Sequence, residues 1–322
     1  MRRRDVLAGI AGAGLLAPGL ARGQAWPGRP VTVIVPYTPG GSTDITARIV
    51  GERLSTVLGQ RFVVDNKPGA GGNLGMEITA RAAPDGYTFG VNTTAHAINM
   101  TLFRQLGFDA VKSFEPVALL TENPLVLVVH PASPARTVQD LIALARKDPG
   151  RLNVATSGLG QSTHLAAELF ASVAGIRLTT VPYRGSAPAV ADVVAGHVDL
   201  MFDTTQSVLQ HVNDGRVRAL GITSAERQAI APAIPTIAEA GLPGYVAIAR
   251  NGLVAPKGTP AEIVRRLNAA IVAAMAAPDV AERFAALGAT TRPLSPEAFG
   301  AYVAAEIEKW GAVVRLSGAK ME

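Results

Sequence analysis

A chain of 322 residues with 48% hydrophobic content can bury one large core or two smaller ones. It has no cysteine, which excludes disulfides, thiolate metal sites and cysteine nucleophiles. The net charge of +5 falls to about +2 without the first 25 residues, which hold four Arg and one Asp; basic residues are scattered and only 5% are aromatic, so no nucleic-acid surface is expected.

Residues 1–25 read as an export leader. Arg2, Arg3 and Arg4 form a basic start, 6–20 is apolar, and Gly23-Gln24-Ala25 supplies the small residues that a signal peptidase reads. Cleavage is expected after Ala25, with periplasmic export. Arg3-Arg4-Asp-Val-Leu7 suggests the twin-arginine route, with an ordinary Sec leader as the alternative. The apolar run is shorter than the ~20 residues a membrane span needs.

From residue 31 strands and helices alternate. The run 31–35 predicts a buried strand ending at Pro36, and a helix follows over 43–58. Strand 61–65, helix 73–82 and strand 88–92 come next. The runs 116–120 and 125–130 read as two adjacent strands passing from one unit to another. After them come helix 137–147, strand 153–155, helix 162–174, strand 178–181, helix 187–195, strand 198–202, helix 205–213 and strand 218–222. Residues 224–250 read as loop, broken by Pro232, Pro235 and Pro243, and 260–276, 279–287 and 296–316 as helices. Apolar strands between helices indicate an α/β chain with mostly parallel sheets.

Two segments share a strand, glycine-rich loop and helix start. One is Val31-Thr-Val-Ile-Val-Pro-Tyr-Thr-Pro-Gly-Gly-Ser-Thr-Asp44, the other Asn153-Val-Ala-Thr-Ser-Gly-Leu-Gly-Gln-Ser-Thr-His164. Backbone N–H groups at such a helix start lack internal partners and sit at the positive end of the helix dipole, so they suit an anion. The plain structural alternative is that the glycines permit tight turns and Ser42, Thr43 or Ser162 merely caps. Asp44, in a helix first turn, fits loop support better than ligand contact.

The first loop, Pro36-Tyr-Thr-Pro-Gly-Gly-Ser-Thr-Asp44, resembles the first ligand loop of the tripartite tricarboxylate transporter receptors, the Bug-type solute-binding proteins. Seven further segments are similar in the same order. They are Asp65-Asn-Lys-Pro-Gly-Ala-Gly-Gly-Asn73, Pro84-Asp-Gly-Tyr-Thr88, Ser162-Thr-His-Leu-Ala-Ala-Glu-Leu-Phe170, Val181-Pro-Tyr-Arg-Gly185, Val198-Asp-Leu-Met-Phe-Asp203, Pro235-Thr-Ile-Ala-Glu-Ala-Gly241 and Ala255-Pro-Lys-Gly-Thr-Pro260. The resemblance implies a type II periplasmic binding protein of two lobes with a ligand cleft between them. The first lobe would hold 26–122 and 225–322 and the second 123–224, with crossings near 121–125 and 222–226. It also implies one ligand carboxylate gripped by both loops: Tyr37, Thr38, Gly40, Gly41, Ser42 and Asp44 from one side, Ser157, Gly160, Gln161, Ser162 and Thr163 from the other. The expected partners are a small carboxylate and membrane transporter subunits. A monomer is expected, without metal, cofactor or catalytic residue.

Four further candidates stand beside the loops. Asp203 ends a strand and can accept from a ligand donor or cap a helix. His96 is near the cleft or simply packed. Arg184 follows a strand end and can bind a distal carboxylate or a surface acid. Arg250 stands where the family usually carries an aromatic residue, a place the resemblance puts at the cleft mouth; it is either a fork for a second carboxylate or a rim residue. The competing class is an NADP-dependent α/β oxidoreductase, suggested by Gly158-Leu-Gly160-Gln-Ser-Thr163 with Arg184 suited to a phosphorylated ribose. Thr163 replaces the third glycine, however, and 179–183 contains no acid. There is no Walker loop and no Gly-x-Ser-x-Gly elbow, and the five histidines lack metal-ligand spacing. A receptor that presents its ligand to a sensor kinase is the third class.

Overall fold

The computed structural model describes residues 26–317; the leader and its cleavage site lie outside them. The chain begins with β1 (Val31–Val35), α1 (Ser42–Leu58), β2 (Phe62–Asn66), a 3-10 turn (Ala70–Gly72), α2 (Asn73–Arg81), β3 (Thr88–Thr93) and α3 (Thr94–Leu102). It continues with β4 (Phe114–Val129), α4 (Val138–Lys147), β5 (Asn153–Thr156), α5 (Ser162–Ala174), β6 (Thr179–Pro182), α6 (Ser186–Ala195), β7 (Leu200–Thr204), α7 (Thr205–Asn213) and β8 (Arg218–Ile222). It ends with β9 (Ile248–Pro256), α8 (Ala261–Ala276), α9 (Pro278–Ala286), β10 (Thr290–Thr291) and α10 (Pro296–Ser317).

The strands run β2-β1-β3-β9-β4-β7-β5-β6, with β8 and β10 also paired to β4. The β1–β2, β1–β3, β5–β6 and β5–β7 pairs are parallel, as βαβ units require. Every pairing of β4 and β9 is antiparallel, so the sheets are less parallel than the sequence suggests.

Strands β4 and β9 are the two crossings. The N-terminal part of β4 pairs with β9, and from Leu125 onward it pairs with β7 and β8. Two adjacent strands were expected there; the structure has one unbroken strand. The polar run between them is the stretch that spans the gap between two cores, where Thr121 and Asn123 bond to each other and Asn251 donates to Thr121. One core gathers Val31, Phe89, Leu253, Leu267 and Phe284. The other half has a core on each sheet face, around Leu127, Phe170 and Phe202 on one and Val128, Met201 and Ile222 on the other.

Beyond 222–226, Ile237, Leu242 and Tyr245 pack with Phe170 and Phe202, and Ile234 packs with Met201. The chain then enters β9, whose first residues to Arg250 read as loop; Arg250 is paired with β4, and Asn251 and Gly252 are paired with both β3 and β4. Helix α3 also escapes the sequence reading. Residues 94–99 are all buried, so the helix has no polar face and no 3.6-residue rhythm. Among the described residues no helix is long and apolar enough to cross a membrane.

Candidate functional site

At the carboxyl ends of β1, β5, β6 and β7 the chain turns directly into α1, α5, α6 and α7. Their N-caps are Gly41, Gln161, Gly185 and Thr204, and none of the four makes a side-chain cap bond. All four caps line one cleft. Four helix starts with uncapped N–H groups give that cleft a positive lining made of backbone.

Of the expected residues, Tyr37, Thr38, Gly41 and Ser42 line it from the first loop and Ser157, Gln161, Ser162 and Thr163 from the second, together with Asp203 and Arg250. Sequence reasoning missed Gly185 and Ser186 at the third helix start, and Asn251 on β9. The signal for the third start was available: a glycine and a serine between the strand 178–181 and the apolar helix 187–195. Gly185 has φ +150°, and a Cβ there would collide with the Thr38 hydroxyl, so glycine lets the two halves meet.

Both loops are stiffened internally. Ser157 Oγ donates to Gln161 Oε1 at 2.7 Å, Gln161 Nε2 returns a bond to Ser157 O at 2.9 Å, and Ser157 N–H donates to Thr163 Oγ1 at 3.0 Å. Tyr37 OH bonds Thr93 Oγ1 at 2.9 Å, and burial raises its pKa.

Several expected contacts are placed elsewhere. Asp44 is buried outside the cleft wall. It accepts from Gly40 N–H at 3.1 Å, Arg48 Nε at 2.9 Å and Asn66 Nδ2 at 3.0 Å. Burial raises its pKa, but these bonds outweigh burial and hold it below the usual carboxylate value. It shapes the first loop, with Gly40 as one of its donors. Gly160, at φ +77°, packs against Asn99 and Leu102 instead of lining the cleft. His96 is fully buried in a capping box, where its Nδ1 accepts from Thr93 N–H at 2.8 Å. Burial, aided by Arg250, pushes its pKa down to about 3, so it is neutral. Arg184 is exposed and lines a second chamber of about 280 Å³, which shares Tyr37, Ser157 and Gln161 with the first.

Arg250 is the largest departure. It is 1% exposed, on β9, and not at a mouth. Nη1 donates to Asn92 Oδ1 at 2.6 Å, and Cζ lies 5.7 Å from the ring centroids of both Phe299 and Tyr302. Nε and Nη2 have no hydrogen-bond partner among the described residues. Burial lowers its pKa, against the fields of Glu306 and Glu122. Asp203 is its counterpart in the other half, 1% exposed, with Oδ1 accepting from Thr204 N–H at 2.7 Å. Burial pushes its pKa up to about 6.

Residues 46–318 match the sequence profile described as Tripartite tricarboxylate transporter family receptor. Three solved structures are close to this one. The periplasmic binding protein BugD has a TM-score of 0.89 at 33% identity, over 92% of this chain and 100% of its own. Rpa4515 of R. palustris with adipate has 0.89 at 38%, over 92% and 100%. MatC of Rhodopseudomonas palustris with bound malate has 0.86 at 38%, over 90% and 100%. The chain thus has the α/β fold of the periplasmic binding proteins of this type, and it belongs to the tripartite tricarboxylate transporter receptor family.

Proposed function

We propose that this protein is an exported receptor that captures a small carboxylate and delivers it to the membrane subunits of a tripartite tricarboxylate transporter. The observation that carries the reading is the meeting of four uncapped helix starts and the buried Arg250 on one cleft. Adipate and malate in the related structures support a carboxylate ligand. The leader reading supports the periplasm as its place, by the twin-arginine route. The protein acts as a monomer and carries out no covalent chemistry. The first lobe holds 26–123 and 248–317 and the second 124–247, and ligand binding closes them about β4 and β9.

A thermal-shift screen of the protein from residue 26 against mono-, di- and tricarboxylates tests this. A ligand at 100 times its dissociation constant is expected to add ~2.7 kcal/mol of stability. A screen in which no carboxylate raises the melting temperature overturns the reading.

The second chamber gives the ligand room for a distal end. Arg184 is its cation and has no acidic partner among the described residues, while Phe103, Leu159 and Pro182 supply apolar wall. Replacing Arg184 with Ala is expected to weaken a linear dicarboxylate about tenfold, the worth of one charge-assisted bond, and to leave its monocarboxylate analogue unchanged. Calorimetric titration of both ligands checks this, and an equal effect on the two removes Arg184 from ligand recognition.

A further inference from the structure

Among the described residues, Asp203 is the only acid that lines the cleft. It is the penultimate residue of β7, one before Thr204, which ends the strand and caps α7. Oδ1 serves the Thr204 N–H, a role that needs one oxygen and that a serine or asparagine fills equally well. Oδ2 is buried and closes no hydrogen bond among the described residues. The Ser186, Thr204 and Ser207 hydroxyls lie near enough to favour the charged form, against the burial that raises its pKa. A buried carboxylate oxygen without a partner calls for an explanation, because it forfeits the hydration it had in the unfolded chain.

The rest of the wall is built for an anion, and Asp203 repels one. Two like charges cannot share this cleft cheaply unless a donor stands between them. We infer that Asp203 is a specificity-determining residue: its Oδ2 accepts an O–H or N–H from the carbon next to the ligand's bound carboxylate, so the site selects 2-hydroxy and 2-amino acids. The inference rests on the carboxylate reading above and narrows it. The helix starts take the carboxylate, and Asp203 takes the donor beside it. A ligand lacking that donor leaves Oδ2 unpaired and adds a second buried negative charge. Discrimination by an unpaired polar group is stronger than discrimination by shape.

The test is a calorimetric panel of matched acids on the protein from residue 26. L-malate and L-aspartate are compared with succinate, L-lactate and L-alanine with propionate, and L-mandelate and L-phenylglycine with phenylacetate. In the wild type the substituted member of a binding set is expected to bind at least about tenfold tighter than its parent. Asp203→Leu, close in volume and without an acceptor or a repelling charge, is expected to bring that ratio to about one while the parent acid binds at least as tightly as before. Asp203→Asn keeps an amide oxygen; it is expected to retain preference for the hydroxyl acids and lose it for the amino acids. If Asp203→Leu does not fold, the amino-acid ratio in Asp203→Asn still decides. Parent acids that bind the wild type as tightly as their substituted partners overturn this inference alone, as does a ratio that Asp203→Leu and Asp203→Asn both leave unchanged. A wild type that binds no acid of the panel overturns the carboxylate reading and this inference with it.

Discussion

Replacing Gly41 with Val is expected to abolish measurable carboxylate binding in a protein that still folds. Gly41 caps α1 at φ −84° and ψ 168°, a region open to any residue. A Cβ there would meet Ser186 Oγ at 3.5 Å and Ser186 Cβ at 3.6 Å, which is ordinary contact. The backbone therefore tolerates a side chain, and the loss of a good cap costs roughly 1 kcal/mol. The two valine methyls, however, extend beyond Cβ into the space between the starts of α1 and α6. They cover the N–H groups of α1 or hold the two helix starts apart. Losing about two charge-assisted hydrogen bonds corresponds to at least a hundredfold in affinity. Gly41→Ala is expected to fall between Val and wild type. Calorimetry with a ligand from the screen, beside a thermal melt of each variant, checks this. Wild-type affinity in folded Gly41→Val would show that the first helix start does not hold the ligand.

The sequence read best where one physical rule governed a whole element. The run 31–35 and the helices 162–174 and 205–213 have the bounds expected of them, because apolar periodicity and turn residues agree there. Both glycine-rich loops were legible for the same reason. Their Ser, Thr and Gly residues sit at the junction of strand and helix, where only short polar side chains serve. What escaped depended on partners distant in sequence. Helix α3 is buried on every side. Strand β9 looks polar because it crosses between cores, and the bonds that its Arg250 and Asn251 side chains make go to residues over a hundred positions away. The α6 start was visible as Gly185-Ser186, but its approach to Thr38 exists only once the two halves face each other. The packing of Ile234, Ile237, Leu242 and Tyr245 was hidden similarly: these hydrophobic residues gave no sign of which core they would join.

Arg250→Met is expected to weaken mono- and dicarboxylates by the same factor, about ten- to a hundredfold. A residue at the cleft mouth would instead affect only the distal carboxylate. The position decides between these outcomes. Arg250 is 1% exposed and belongs to the wall beside the helix starts, so its charge acts on whatever anion the cleft holds. In such a site the field is screened little by water, and it does not depend on ligand length. Stability separates this role from a structural one. Two buried guanidinium donors without partners carry a desolvation cost that methionine removes. Against that, methionine leaves Asn92 Oδ1 without the 2.6 Å bond and takes a positive charge from the surroundings of Glu306. The two contributions oppose each other, so the melting temperature of ligand-free Arg250→Met is expected to stay near wild type. Arg250→Ala adds a cavity beneath Phe299 and Tyr302 and is expected to lose about 3 kcal/mol more. Paired titrations with a dicarboxylate and its monocarboxylate analogue, beside melts of both variants, check the whole set. A loss confined to the dicarboxylate would return Arg250 to distal recognition. Full binding in Arg250→Met would leave the helix starts as the sole source of anion affinity. A uniform loss at near-constant stability would mean that an energetically unsatisfied arginine is kept for the ligand it holds.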